Sequence, residues 1–362
     1  MNHQEYGTEP TQPRQGLNYQ RRRTVSNDRP LELHRLRVVV ALGGNALDGK
    51  TRQGVYAAQV RNALAASRQI LEIVKAGHQV VLTHGNGPQV GNLALQQELS
   101  AADVPPQPLH VLDSMTQGQI GYLLQREIGN ALKECSIARP VVSVVTQVLV
   151  DAKDGAFGDP TKPIGPFYDQ GTAKRLAKER GYVIRRVKPR GARAFRRVVP
   201  SPEPIGIVEA GAISTLVRSG AIVVASGGGG VPVVPDRRGR LRGVDAVVDK
   251  DLAAEKLAEA VDADALLILT DVEKVKLSYG KPGERGIDRM TATEARRHAG
   301  EGHFPAGSMG PKVLACVRFV ERGGALGVIA SFRKGAEALE GGSGTRITAD
   351  PTPREKGRKE PG

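Results

Sequence analysis

Three apolar runs in this chain each stop at a glycine-rich loop, and that repetition constrains the fold more than any other feature. Leu42-Gly43-Gly44-Asn45-Ala46 follows RVVVAL at 37–42, and Thr83-His84-Gly85-Asn86-Gly87-Pro88-Gln89 follows QVVLT at 79–83. Ser226-Gly227-Gly228-Gly229-Gly230-Val231-Pro232 follows AIVVA at 221–225. Unbroken aliphatic runs of this length, with no polar alternation, read as strands buried on both faces, the habit of parallel sheets. In an open α/β sheet, ligands bind beyond the carboxyl ends of the strands. A glycine there lets backbone N–H groups approach an anion at the start of the next helix. One such loop is explained by a turn that needs positive φ. Three of them point to a shared anion site.

The alternation continues along the chain. Residues 140–150, 265–270 and 326–330 read as further strands, with amphipathic stretches between. The stretch from Tyr56 to Lys75 places Val60, Leu64, Ser67, Leu71 and Val74 on one helical stripe and stops at Gly77. The expected fold class is α/β, an open, mostly parallel sheet sandwiched by helices, spanning 36–350 with its main sheet in 36–150 and 205–350. The interval 151–204, rich in Pro, Gly and basic residues with only 181–187 strand-like, reads as a small protruding subdomain. Residues 1–35 and 351–362 lack a hydrophobic period and are expected to be disordered tails.

The net charge of +14 is concentrated: residues 171–200 hold eleven Lys or Arg against Glu179. Only Tyr182 and Phe195 could stack on bases there, so the segment reads as a solvated basic face, with no specific nucleic acid as partner. Cys135 and Cys316, the only cysteines, lie in apolar runs and read as small core hydrophobes in a reducing, cytoplasmic protein. No stretch approaches the roughly 20 apolar residues of a membrane span.

Two motif readings compete for the loops. Gly44 to Thr51 fits the P-loop pattern G-x-x-x-x-G-K-[ST], with Lys50 as its lysine and Asp271 as a metal-binding acid. That reading leaves the His84 and Gly227 loops without a role. None of the loops satisfies G-x-G-x-x-G, which sets dinucleotide chemistry aside.

Further stretches extend the pattern: SMTQGQIGY at 114–122, PTKPIGPFY at 160–168, RRVVPSPEP at 196–204, GVDAVVDKDLAAEKLA at 243–258, LTDV at 269–272, YGKP at 279–282 and GSMGPKV at 307–313. In this order, and together with the glycine loops, they resemble the carbamate kinases of the amino acid kinase family over roughly 35–347. The resemblance implies reversible phosphoryl transfer between ATP and carbamate, giving ADP and carbamoyl phosphate, with Mg²⁺, in a homodimer. It leaves the direction open, with ATP formation in arginine or purine breakdown as the expectation. Phosphoryl transfer needs charge compensation more than covalent help, so lysines are the residues to follow. By resemblance Lys162, Lys250 and Lys312 are active-site cations and Asp251 orients them. Gly43, Gly44, Asn45, Gly85, Asn86 and Gly87 surround carbamate, while Ser226, Gly227, Gly228, Gly229, Thr270, Asp271, Met309 and Gly310 hold the nucleotide. Carbamate is already anionic and needs no base, so His84 is expected to be structural. The sequence departs from the family at Ala194-Phe195 and at Lys276, where aromatic residues are common.

Overall fold

The computed structural model describes residues 35–43, 55–305 and 307–351. Its centre is an eight-stranded sheet built from β1 (Arg37–Leu42), β2 (Gln79–His84), β3 (Val141–Ser143), β9 (Ile222–Val224), β12 (Ala265–Thr270), β15 (Arg289–Thr291), β16 (Leu326–Ser331) and β17 (Thr345–Thr348). The strand order is β15-β17-β16-β12-β1-β2-β9-β3, and every pairing is parallel except β16 with β17.

The unbroken apolar runs are explained by two cores. Val39, Ala41, Val81, Leu266 and Ile268 face one layer of helices, while Val38, Val40, Leu42, Val80, Leu267 and Leu269 face the other. The first layer holds α5 (Ala210–Arg218), α6 (Lys250–Ala260), α7 (Ala292–Gly300) and α8 (Met309–Glu321); the second holds α1 (Tyr56–Lys75), α3 (Leu109–Glu134) and α9 (Gly335–Glu340). Water is excluded from both faces along most of β1, β2, β9, β12 and β16, so a polar residue is costly at their inner positions.

Some elements differ from the sequence reading. The buried face of α1 runs through Ala63, Ala66, Ser67, Ile70, Ile73 and Val74, and Leu64 is exposed. Small side chains carry the contact, so a stripe drawn through the large ones is rotated. The apolar run 140–150 is two strands, because Val144 to Thr146 leave the main sheet. β4 (Gln147–Val150) then joins a second sheet with β8 (Pro204–Ile207), β10 (Val231–Pro235) and β11 (Leu241–Gly243). Cys135 is not a core residue: it caps the carboxyl end of α3 and is exposed, whereas Cys316 is buried.

Between 151 and 204 there is more regular structure than one strand-like run. β5 (Lys162–Tyr168), β6 (Ile184–Arg186) and β7 (Phe195–Val199) form an antiparallel sheet, with α4 (Gln170–Arg180) beside it. Its own core is small, Tyr168, Ala173 and Leu176, and the adjacent arginine pairs of β6 and β7 break the alternation. This sheet rests on α2 (Gly87–Ser100). A Cβ on Gly91 would sit 3.1 Å from the Gly165 Cα, and Tyr168 donates from its hydroxyl to Glu98.

Candidate active site

The sequence -Asp249-Lys250-Asp251- folds as a helix start. The Asp249 side chain accepts from the Asp251 N–H at 3.0 Å, capping α6 so that Lys250 and Asp251 occupy its first turn. Lys312 lies in the first turn of α8. Both lysines therefore stand at the positive end of a helix dipole, where a cation is unfavourable unless anions are near. Asp251 supplies one: its two carboxylate oxygens accept from Lys250 at 2.5 Å and from Lys312 at 2.8 Å. Lys162, at the start of β5, donates to the second oxygen of Asp249 at 2.8 Å. Three of the sequence-predicted cations thus gather on two neighbouring carboxylates. Three lysines against two aspartates leave an uncompensated positive charge at two helix N-termini, the setting in which phosphate binds.

Burial disfavours ionised Asp251, but the two lysines outweigh it and hold the carboxyl down at about 2. Burial also pulls Lys250 below the usual lysine range, against the attraction of Asp251. At Lys312 burial is outweighed by Asp251, and the ammonium is held more firmly than in water.

The Ser226 loop lies against this cluster. Ser226, Gly228, Gly229 and Gly230 all have positive φ, at 55°, 70°, 102° and 84°. A Cβ on Gly227 would strike the His84 ring, one on Gly228 the Asn86 amide and Asp113, and one on Gly229 the Val248 carbonyl. The loop is thus in direct contact with residues read as belonging to the acceptor side. Thr146 fixes it: its hydroxyl accepts from the Ser226 N–H and its carbonyl from the Val231 N–H, while Gln117 bonds the Thr146 backbone in both directions. The Gly229 and Gly230 N–H groups close the turn, and no described residue accepts from those of Gly227 or Gly228.

Asn86 stands just before α2, its side chain making no capping hydrogen bond, and is buried, as is His84. The Asn86 amide nitrogen donates to Asp113 Oδ1 and, at 2.8 Å, to Thr116 Oγ1. Burial pushes the Asp113 carboxyl up to about 7. Burial likewise lowers His84 to about 4, and its Nδ1 faces the Gly85 carbonyl at 3.2 Å, which can only accept. The ring is therefore neutral with its proton on Nδ1. The Gly85 N–H donates to Leu42, and the Gly43 N–H to Leu269 at the end of β12. Gly87 opens α2 with no steric need for glycine. Gly44 and Asn45 lie outside the described residues, as do Lys50 and Thr51 and the terminal residues 1–34 and 352–362.

Around the residues expected to hold the nucleotide, a cavity of about 230 Å³ is lined by Thr270, Asp271, Lys276, Tyr279, Met309 and Lys312. Lys276, on β13 (Lys276–Leu277), which pairs with β14 (Arg285–Gly286), bonds Glu284 at 2.6 Å, and Tyr279 and His303 bring rings to the cavity. Gly310 approaches the Pro305 carbonyl so closely that a Cβ would lie 3.1 Å from it. A wider cavity of about 490 Å³ shares Thr270 and Asp271 on the α1 side and is lined also by Asn62, Arg68 and Arg333. Nearby, His298, Glu301 and His303 bring ligand-type atoms within 4.8 Å. However, the Ser278 N–H donates to His303 Nδ1 at 3.2 Å, so the neutral ring keeps its proton on Nε2, facing Glu301. That geometry suits a hydrogen-bonded strap better than a metal site.

Sequence reasoning missed Asp113, Thr116, Gln117 and Thr146. Leu109, Leu112, Asp113, Thr116 and Ile120 share the buried stripe of α3, so an acid there needs a partner, but nothing in the sequence points to Asn86 as that partner.

The sequence profile described as the amino acid kinase family matches residues 36–331. The carbamate kinase of Pyrococcus horikoshii is 52% identical over 314 residues, covering 86% of this chain and 99% of the relative. That of Clostridium perfringens is 44% identical over 316 residues, covering 86% and 99%. Carbamate kinase from Giardia lamblia bound to AMP-PNP superposes with a TM-score of 0.80 at 43% identity, over 88% of this chain and 100% of that one. Matches of this span, with relatives covered almost end to end, mean that the chain belongs to the amino acid kinase family, as a phosphotransferase of its carbamate kinase group.

Proposed function

We propose that the chain exchanges a phosphoryl group between carbamate and adenine nucleotide, and that it runs from carbamoyl phosphate and ADP toward ATP in arginine or purine catabolism. The observation that carries this is the Lys250–Asp251–Lys312 cluster at two helix N-termini, with Lys312 also lining the nucleotide cavity.

In this reading a terminal oxygen of ADP attacks the phosphorus of carbamoyl phosphate, the bond from phosphorus to the carbamate oxygen breaks, and carbamate leaves as an anion. Neither reacting oxygen needs a proton moved, which fits a neutral, enclosed His84. Lys250 and Lys312 face the charge on the transferring group, Lys162 meets it from the subdomain, and Asp251 aims two of the three. Gly43, Gly85, Asn86 and Gly87 hold carbamate together with Gly44 and Asn45. The Ser226 to Gly229 loop, Thr270, Asp271, Met309 and Gly310 hold the nucleotide.

Mg²⁺ would neutralise charge between the nucleotide phosphates. Asp249 and Asp251 are committed to lysines, so the ion would be held mainly by phosphate oxygens and water, with Asp271 on the cavity as the carboxylate free of a lysine partner among the described residues.

The homodimer belongs to the same proposal. Tyr56, Met115, Tyr122 and Val145 are large apolar or aromatic side chains left exposed, and β3 is one edge of the main sheet. No helix among the described residues is long and apolar enough to cross a membrane, and we place the enzyme in the cytoplasm.

The test is ATP formation from ADP and carbamoyl phosphate, with and without Mg²⁺, alongside sedimentation to read the oligomer. Mg²⁺-dependent ATP formation is expected, and its absence in folded protein overturns the reading.

A further inference from the structure

A carbamoyl group differs from an acetyl group by an amino group in place of a methyl, so a site selective for the first needs an acceptor where that nitrogen sits. We infer that Asp113 and Thr116 lock the Asn86 amide with its nitrogen turned to α3, leaving its carbonyl oxygen to accept a hydrogen bond from the amino group of the substrate. The inference rests on the carbamate kinase reading and makes Asp113 and Thr116 positioning residues that set its specificity.

The amide orientation follows from its neighbours. Thr116 Oγ1 donates its own hydrogen to the Asp113 carbonyl at 2.8 Å, so toward Asn86 it can only accept. Asp113 Oδ1 lies beside the same amide group and accepts as well. Two acceptors converge on one end of the Asn86 side chain, and only the nitrogen, with two hydrogens, satisfies both. The orientation survives protonation of Asp113, since the proton can reside on Oδ2 while Oδ1 still accepts.

Both donors of Asn86 are then spent inside the protein. No described residue donates to Oδ1, and this atom is not among the sealed, partnerless ones, which are Asn62 Nδ2, Ser226 Oγ and Glu255 Oε2. What Asn86 can offer a ligand is an acceptor. That excludes Asn86 as a donor to a carboxylate-like oxygen and suits an N–H. Gly228 keeps the arrangement in place, because a Cβ there would press on both the Asn86 amide and Asp113. A methyl group opposite Oδ1 would leave a desolvated carbonyl without a partner, which disfavours acetyl phosphate by roughly tenfold to a hundredfold.

The experiment measures kcat/KM for ATP formation by the full chain with carbamoyl phosphate and with acetyl phosphate. It compares wild type, Asp113→Leu, Asp113→Asn and Thr116→Val, with circular dichroism on each. The leucine and valine variants, which free a hydrogen of Asn86 and let the amide turn, are expected to reduce the carbamoyl-to-acetyl preference about tenfold. The loss should fall mainly on KM for carbamoyl phosphate, with KM for ADP unchanged. Asp113→Asn, whose amide oxygen still accepts, is expected to keep the preference within about threefold. A folded Asp113→Leu or Thr116→Val with the full wild-type preference overturns the inference, as does an Asp113→Asn that loses as much as the leucine variant. Should Asp113→Leu fail to fold, Thr116→Val decides alone. Wild-type protein that makes no ATP from carbamoyl phosphate overturns the activity and this inference with it; an active wild type with indifferent variants overturns only the inference.

Discussion

Asp249 and Asp251 stand two residues apart, the first holding one lysine and the second two, and the two regions they serve differ in how they treat charge. Around Asp251 the pairing is dry: its side chain is 4% exposed, Lys250 15% and Lys312 13%. Around Asp249 it is wetter, with Lys162 35% exposed on a strand of the subdomain. The dry cluster lies on two helix starts of the main body and cannot lose Asp251 without stranding two buried ammonium groups. The wetter pair joins the subdomain to the body through a contact that water can replace. Fixed charge belongs to the scaffold, and replaceable charge to the part that reaches over it.

The largest effect should come from the dry cluster. Lys250→Ala and Lys312→Ala are each expected to lower turnover roughly a hundredfold to a thousandfold, about 3 to 4 kcal/mol, as for loss of an oxyanion-type donor. Asp251→Ala should also cost about 3 to 5 kcal/mol of folding stability, read by urea denaturation, because two buried ammonium groups lose their partner. Lys50→Ala, in the competing P-loop motif, should cost little. If Lys50→Ala abolishes turnover while the other lysine variants stay active, the comparison collapses and the P-loop mechanism replaces it.

The next effect concerns pH and separates buried groups that carry charge from those that avoid it. Asp113 has a folded carboxyl near 7 against 3.8 unfolded, so its contribution, about 4 kcal/mol, is present below roughly pH 4 and is lost as pH rises toward 7. His84 runs the other way. Its folded value near 4 lies below the unfolded 6.5, so about 3 kcal/mol is present above pH 6.5 and is lost as pH falls through 4. The two nearly cancel between pH 4 and 7. The joint contribution of Asp113 and His84 to stability should be nearly flat there, whereas the stability of Asp113→Asn relative to wild type, read by thermal melting, should climb with pH. A relative stability that stays level across this window would show that Asp113 does not titrate as a buried acid.

The wetter pair should give less. Lys162→Ala is expected to lower turnover roughly tenfold while changing stability by under about 1 kcal/mol, the range of a part-exposed ion pair. Asp249→Ala should cost about 1 kcal/mol more through the lost cap of α6, and Asp249→Asn should recover most of that cap. Equal losses for Lys162→Ala and Lys250→Ala would mean that exposure in the unliganded protein says little about the state that reacts.

The sheet was legible because strands buried on both faces leave unbroken aliphatic runs such as ALLILT at 265–270. The three lysines that gather on Asp249 and Asp251 could be singled out because they sit in motifs. Hidden were features decided by small or polar residues. The face of α1 includes Ala63 and Ala66, and β6 and β7 of the subdomain carry adjacent arginine pairs that break the strand alternation. Asp113 was hidden for a related reason: its partner Asn86 is 27 residues away, and only the approach of α3 to the Gly228 loop shows why an acid belongs on that stripe. Motif spacing reports which residues recur, whereas the polarity of an amide is set by neighbours that spacing does not connect.

The smallest effect expected belongs to the basic face of the subdomain. Several of its cations already rest on the subdomain's own rings: Lys188 Nζ lies 3.7 Å from the Phe167 centroid, and the Arg197 guanidinium 3.9 Å from that of Tyr182. Rings covered in this way are not free to stack on bases, which weighs against nucleic acid as the partner. What remains is the long-range field of exposed lysines and arginines on α4, which can draw anionic substrates toward Lys162 but falls off over about 10 Å at 0.1 M salt. Replacing Lys174, Arg175 and Lys178 together by glutamine should therefore leave kcat unchanged and lower kcat/KM only a few-fold at low ionic strength. The difference should vanish near 0.5 M salt. A drop in kcat that persists at high salt would mean these side chains act by contact rather than by field, and that the division between a charged scaffold and a replaceable, solvated subdomain is drawn in the wrong place.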